Sequence, residues 1–353
     1  MGPRRRLTAA CAGAVLALTL VRTAPVPWSP DGPVSGPAVA DLLTGTLSLL
    51  LARTLDPVLT RTAAATAALD PSGRVGPVTV LVVGNDRRPD RVGSRRDIRG
   101  DRADAVMLCV VGGGRNTVVL SLPRDLRVTV PGHGDGKLGG SLDYGPAAVV
   151  AAVRGVTRVP VQHYVEVRFA AVARVVDRLG GIRLDLAAPV RDRASGLHLA
   201  AGPQRVGGAA ALAWLRSREP ERLVAGRWVA DSPGDIGRID RQHVLLAAVA
   251  AAVARADLPT DLGLAAAAHG SVTVDDGLRG RDLAIVVAAL RGAERWSWST
   301  LPTEPELDPA TAFSPFPPAH AGSVGYRRPA APADAILRAL RARTTPASVG
   351  ALR

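Results

Sequence analysis

Lysine is almost missing from this chain. Of its 44 basic side chains, Lys137 is the single lysine and all the others are arginine. With 37 glycines, 28 prolines and abundant alanine, this is the mark of a GC-rich coding bias. The formal net charge of +13 therefore says little about nucleic acid. Arginines count only where they converge with acids at fixed spacing. Aromatic residues make up 3%, too few for a platform that stacks single-stranded nucleic acid. Two cysteines, Cys11 and Cys109, cannot build a disulfide framework, and the six histidines show no zinc spacing. No HExxH pair and no GxSxG elbow occurs. Apolar residues, by contrast, make up 47%, enough for a large core and well clear of the disordered class. The length of 353 residues fits one large domain with extra segments, or two domains.

Arg4 to Arg6 precede Leu7 to Val21, 15 residues without a charge. A basic flank before an apolar run reads as a signal anchor, with a cleaved secretory signal as the second reading. A span takes roughly 17–25 residues, so an anchor needs Arg22 to snorkel and the segment to continue to Trp28. Both readings place the rest of the chain outside the cytoplasm, as a single-pass protein of the cell membrane where the anchor is kept. The expected organisation is a basic tip and span over 1–28, a membrane-proximal helical linker over 29–76, a folded domain over 77–345 and a tail over 346–353.

Within the domain, Val78 to Gly84 is a continuous β-branched run and reads as a strand buried on both faces. Ala103 to Val111, Asn116 to Leu122, Leu126 to Val130, Gln162 to Arg168 and Ile182 to Leu186 read as further strands. Helices are expected over 146–157, 169–179, 207–215, 235–256, 260–268, 280–292 and 333–343. Interleaved strands and helices predict a layered α/β/α domain with a central mixed sheet. Gly134 to Gly139 matches GxGxxG but has no helix directly after it, so it reads as a surface loop. Val244 to Val253 and Leu283 to Leu290 are apolar almost all round, the pattern of buried helices.

The chemistry lies in pairs. Residues i and i+2 of an extended segment share a side, which joins Asp86 with Arg88, Arg102 with Asp104, and Arg216 with Arg218. Asp235, Arg238 and Gln242 fall on one helix face. Arg124 stands between Pro123 and Asp125 where one strand hands over to the next. Six arginines (88, 102, 124, 216, 218, 238) against Asp86 and Asp104 make a positive site that calls for an anion. Guanidinium forks bond phosphate bidentately. Two carboxylates beside phosphates are a donor set for Mg²⁺. The lone retained lysine, Lys137, points to a place for a compact ammonium.

These strings occur in a telling order: Gly84-Asn85-Asp86-Arg87-Arg88, Arg102-Ala103-Asp104, Leu122-Pro123-Arg124-Asp125, Lys137-Leu138, Tyr144-Gly145, Val165-Glu166-Val167, Leu179-Gly180-Gly181, Ala211 to Arg218, and Asp235-Ile236-Gly237-Arg238 with Arg241-Gln242. Together they resemble the LytR–CpsA–Psr family of cell-wall glycopolymer ligases, and the tail from Leu301-Pro302-Thr303 resembles its actinobacterial members. The resemblance implies a hydrophobic pocket for a polyprenyl pyrophosphate and Mg²⁺-dependent transfer of a glycopolymer-phosphate to peptidoglycan at the membrane. It implies Asp86 and Asp104 as metal ligands. The pyrophosphate contacts it implies are Arg102, Arg124, Arg216, Arg218, Arg238 and Gln242, to which the charge pattern adds Arg88 and the lone lysine Lys137. Arg102, Arg124, Arg216 and Arg218 act in catalysis, with Asp125 as candidate general base. Asn85 and Arg87 stand where the family has serines, and Gly139 where an Asn commonly follows Lys-Leu. Three other readings compete: a hydrolase of the same pyrophosphate, a basic DNA-binding regulator and a catalytically silent wall-binding module. The missing helix-turn-helix pattern and the arginine bias speak against DNA.

Overall fold

The computed structural model describes residues 28–29, 32–33, 48–70, 76–86, 102–112, 117–231, 234–257, 269–292, 296–306 and 326–344, and part of 260–267. The expected span over 1–28 lies outside the described residues, apart from the start of a two-residue pairing at Trp28. Among the described residues no helix is long and apolar enough to cross a membrane.

The strands that matter are β1 (Thr60–Thr62), β2 (Val78–Asn85), β3 (Ala103–Val111), β4 (Val118–Leu122), β5 (Arg127–Val130), β6 (Gly134–Lys137), β7 (His163–Arg168), β8 (Val272–Asp275) and β9 (Ser297–Thr300). Seven of them form the central sheet in the order β9-β4-β3-β2-β7-β8-β1. The pairs β9–β4, β2–β7 and β8–β1 are parallel and the others antiparallel, so the sheet is mixed. β5 and β6 make a separate hairpin.

Alternation along the strands explains the layers. Leu81, Val83, Val106, Leu108, Leu120 and Leu122 point to one face. They meet α1 (Pro146–Thr157), a 3-10 run over Leu138–Tyr144, and α6 (Ala333–Thr344). Met107 and Val119 point to the other face, under α2 (Phe169–Arg178), α3 (Gly208–Arg216) and α4 (Gly234–Ala254). Val78 and Val80 meet α5 (Gly280–Arg291) on that side. Each such side chain contributes about 1.5–3 kcal/mol when fully buried, and both faces must be covered because both are apolar. The layered α/β/α arrangement with a central mixed sheet is therefore observed.

Three expectations change. The 29–76 segment is not simply a helical linker, because Thr60–Thr62 is an edge strand of the main sheet. Asp70 in the same segment accepts hydrogen bonds from Arg154 and the Val161 N–H. The Gly134–Gly139 stretch is not a loop: Gly134–Lys137 pairs with Arg127–Val130 and runs into the 3-10 helix. The apolar helices are not buried all round, since Val244 of α4 is 49% exposed and Leu290 of α5 also reaches solvent. A four-stranded sheet of Leu197–Leu199, Val190–Asp192, Glu221–Val224 and Arg227–Ala230 was not foreseen.

α2 and α3 approach closely at Gly208, whose N–H donates to Asp177 Oδ1 at 2.7 Å. A Cβ there would overlap the Ala173 carbonyl oxygen and the Asp177 carboxylate. Gly208→Ala is expected to push α3 off α2 at a cost of about 2–3 kcal/mol, lowering the thermal midpoint by about 5–10 °C. Calorimetry of the variant checks this.

At the far end of the sheet, His163 is fully buried between two acids. Nδ1 lies 3.2 Å from Asp275 Oδ2 and Nε2 lies 3.2 Å from Asp282 Oδ2. Burial opposes its charge, yet a carboxylate on each ring nitrogen holds its pKa above the ordinary histidine value. Folding thus takes up a proton, and this stabilisation is complete below about pH 6.5 and lost as pH rises through the raised pKa. NMR titration of the His163 ring is expected to give a midpoint above the usual value, and the unfolding midpoint is expected to fall across the same interval.

Candidate active site

β2, β3 and β4 end or begin at one edge, and the expected site residues collect there. Asp86 follows β2. Asp104 is the second residue of β3, where the pairing with β2 slips by one: Gly84 opposes Ala105, but Asn85 opposes Ala103. Asp104 is the extra residue of this bulge, and a bulge re-aims a side chain. Ala103 and Ala105 accordingly pack on opposite faces of the sheet. Arg124 lies in the turn after β4, where the Leu126 N–H donates to the Pro123 carbonyl.

Asp104 is the hub. Its Oδ1 lies 2.9 Å from Arg124 Nη1, 3.4 Å from Arg218 Nη2 and 3.7 Å from Arg238 Nη1. Asp86 is gripped by Arg216, with Nε 2.9 and 3.0 Å from its two oxygens and Nη2 2.5 Å from Oδ1. Arg102 is exposed and makes no ion pair among the described residues. Four described guanidiniums thus converge with two carboxylates. Arg88 lies outside the described residues, and Asp235 is the second residue of α4 but its side chain is not described.

Gln242 follows Arg238 by one helical turn on α4. It is 3% exposed, and its Nε2 has no hydrogen-bond partner among the described residues. A buried donor left unmade costs about 1–3 kcal/mol, and here it stands beside the arginines. Lys137 joins the cluster differently: its Nζ is 3.0 Å from Asp125 Oδ1. The Gly139 N–H donates to the Arg124 carbonyl at 2.7 Å, and a Cβ at Gly139 would lie 2.9 Å from the Ala103 carbonyl oxygen. This close approach leaves little room for any larger side chain at the position. Asn85 is buried and donates to Glu166 Oε1 at 2.6 Å, while Tyr164 donates to Oε2 at 2.9 Å. That bridge to β7 fixes the end of β2 just before Asp86.

Arg216 and Arg218 do not share one extended side as expected. Arg216 is the last residue of α3, and the chain becomes extended only at Ser217. The two arginines therefore reach different carboxylates. What shapes this exit is a residue the sequence did not reveal, Asp192. It is 1% exposed. Its Oδ1 accepts from the N–H groups of Ala194 and Ser195, and its Oδ2 from Ser217 Oγ and the N–H groups of Arg218 and Glu219. Burial works against its charge, but these donors hold its carboxyl below the usual range. Arg241, named among the motif strings but given no role there, donates to the Ser217 carbonyl. No spacing rule links Asp192 to Arg218; only the unforeseen small sheet brings them together.

The sequence profile of the LytR_cpsA_psr family matches residues 57–304. The chain is 30% identical over 227 residues to the probable cell wall biosynthesis protein LcpB of Corynebacterium glutamicum, covering 60% of this chain and 51% of that protein. It is 30% identical to the polyisoprenyl-teichoic acid–peptidoglycan teichoic acid transferase TagU of Bacillus mycoides, over 49% of this chain and 51% of that protein. The chain thus spans about half the length of these two relatives. Its fold resembles the LytR-Csp2A-Psr enzyme from Actinomyces oris, with a TM-score of 0.62 and 28% identity over 80% of this chain and 95% of that one. It also resembles TagV of B. subtilis, with a TM-score of 0.58 and 19% identity over 78% of this chain and 100% of that one, a likeness of fold alone. With the profile spanning residues 57–304, the chain belongs to the LytR–CpsA–Psr family.

Proposed function

We propose that this chain transfers a phosphate-linked glycopolymer from a polyprenyl pyrophosphate carrier to peptidoglycan. The observation that carries this reading is the convergence of Arg124, Arg218 and Arg238 on Asp104, with Arg216 on Asp86. Phosphoryl transfer asks a protein for position and charge rather than covalent chemistry. An entering pyrophosphate brings its own negative charge, so the guanidinium forks exchange carboxylate oxygens for phosphate oxygens, which they can bond bidentately as Arg216 bonds Asp86. At ~4 Å and an effective dielectric of ~20, each arginine attracts a unit negative charge by about 4 kcal/mol before desolvation. Arg102 adds its charge from the rim, and the free Gln242 amide donates to a phosphate oxygen.

Asp104 on β3 and Asp86 just past its partner strand β2 fit the one or two carboxylates that Mg²⁺ combines with phosphate oxygens. No group of three or more metal-ligating side chains occurs among the described residues. When bound, Mg²⁺ would neutralise charge on the transferring phosphate.

The prenyl chain lies between the sheet and α3–α4. There Leu212, Leu246, Val249, Trp296 and Trp298 remain only partly buried, and each CH₂ they cover contributes about 0.8 kcal/mol. The acceptor hydroxyl attacks the phosphorus bearing the sugar. Asp125, held by Lys137, takes its proton, and polyprenyl phosphate leaves. The domain works outside the cytoplasm, anchored by its N-terminal segment, with peptidoglycan and membrane as partners and no nucleic acid.

The test is incubation of the purified chain with a polyprenyl-pyrophosphate-linked saccharide. Release of polyprenyl phosphate with Mg²⁺, and its loss with chelator, is the expected result. No release under either condition would overturn the reading.

A further inference from the structure

We infer that His133 and Tyr144 form the platform on which the acceptor's glycan strand lies, a subsite that rests on the transferase reading above. The two rings stack with centroids 3.8 Å apart and planes 16° from parallel. They come from different elements. His133 sits at the tip of the β5–β6 hairpin, between Gly132 (φ +79°) and Gly134 (φ +76°), with its N–H on the Val130 carbonyl. Tyr144 ends the 3-10 run and is followed by Gly145 (φ +95°), whose N–H donates to the Leu142 carbonyl. Both backbones are therefore fixed, and the stack is built in advance.

The stack has no role in the core. Tyr144 is 54% exposed and His133 is exposed as well, in a chain with only three tyrosines. An exposed aromatic surface of this kind marks a binding site more often than chance. A flat ring pair suits the apolar C–H face of a pyranose, whose hydroxyl edge then needs polar partners. The hairpin supplies them: Arg127 and Lys137 are register partners, as are Thr129 and Asp135. Thr129 and Arg127 both donate to Asp135, so these polar side chains are held in place along one face of the hairpin.

Distance and direction select the acceptor. From Lys137 back to His133 is four residues of extended chain, about 13 Å. From Leu138 to Tyr144 is six residues of 3-10 helix, about 12 Å. The two paths agree, and Lys137 is bonded to Asp125, the neighbour of Arg124. The platform thus lies a short oligosaccharide away from the arginines. It also lies on the α1 side of the sheet: Leu138 and Leu142 pack in that layer, whereas Trp214, Leu215 and Leu245 of α3 and α4 pack in the opposite one. Phosphoryl transfer aligns the attacking and leaving oxygens roughly in line. With the leaving prenyl phosphate on the α3–α4 side, the attacking sugar arrives from the hairpin side.

The experiment is calorimetric titration of the full chain with a soluble β-1,4-linked N-acetylglucosamine tetramer, without donor. Wild type is expected to bind, Tyr144→Ala to bind at least tenfold more weakly, and Tyr144→Phe to stay within about twofold, because stacking needs the ring and not the hydroxyl. His133→Ala, a second route to the same loss, is expected to weaken binding at least threefold. Unchanged binding by Tyr144→Ala overturns the inference, as does a wild type that does not bind the tetramer. A parallel titration uses the carrier-free donor polymer, and preference of the platform for that polymer would assign it to the donor and overturn the inference too. Release of polyprenyl phosphate is read separately, so failure of the platform leaves the transferase reading standing.

Discussion

Arg218→Lys is expected to slow single-turnover release of polyprenyl phosphate by roughly 10³-fold, while the thermal midpoint stays within about 2 °C of wild type. Structure separates the two effects. Arg218 is 60% exposed and stands at the long distance of 3.4 Å from Asp104. Exposed pairs of this kind contribute little to stability, about 0–1 kcal/mol. In the reaction the demand is different. Two parallel bonds from a planar fork hold a phosphate in one orientation, and an ammonium on a flexible stem cannot reproduce them. Net charge is unchanged by the substitution, so a large loss reports geometry. A rate within about threefold of wild type, less than 1 kcal/mol in the barrier, would remove Arg218 from the phosphate-binding set.

Asp192→Asn is expected to produce the opposite balance, with stability and turnover falling together. The Oδ2 atom faces three donors, Ser217 Oγ and the N–H groups of Arg218 and Glu219. An amide placed there sets either an NH₂ against those donors or, if flipped, against the N–H groups of Ala194 and Ser195. Hydrogen bonds to a buried charge contribute about 1.5–3 kcal/mol each, so a loss of about 3 kcal/mol overall is expected. Turnover should fall at least tenfold, because the exit from α3 that directs Arg216 to Asp86 and Arg218 to Asp104 is no longer pinned. The pH dependence carries a second signature. A carboxyl whose folded pKa is depressed contributes stability that is present above its unfolded pKa and is lost as pH falls through the folded value. That contribution should be missing from the acid limb of Asp192→Asn. A variant as stable as wild type, with the same acid limb, would show that Asp192 does not hold this segment.

The contrast between Arg218 and Asp192 also marks how far the sequence could be read. The long strands and helices were legible because their signals are local: the β-branched run of β2, Pro146 opening α1, Gly180-Gly181 closing α2. The arginines and Asp86 were legible because each lies next to such an element. Short strands gave no comparable signal. Thr60–Thr62 shows no alternation, and Gly134–Lys137 is half glycine. The rule that i and i+2 share a side failed twice for identifiable reasons. At Asp104 a bulge intervenes, and at Arg216 the helix runs one residue past the expected 207–215. Asp192 was invisible because its role depends on pairing between Val190–Arg191 and Glu221–Arg222, some thirty residues apart. The His133–Tyr144 stack was hidden by the same glycine-rich stretch that read as a loop.

One measurement reaches the centre of the proposal. A donor is prepared with a radioactive label in the phosphorus next to the sugar, and the purified chain is given Mg²⁺ and peptidoglycan. Transfer requires the bond from that phosphorus to the prenyl-side bridging oxygen to break and a bond to the acceptor oxygen to form. The label should then appear covalently in peptidoglycan, with unlabelled polyprenyl phosphate as the other product. Label recovered only as free polymer-phosphate, with acceptor present in excess, would contradict transfer and leave a hydrolase.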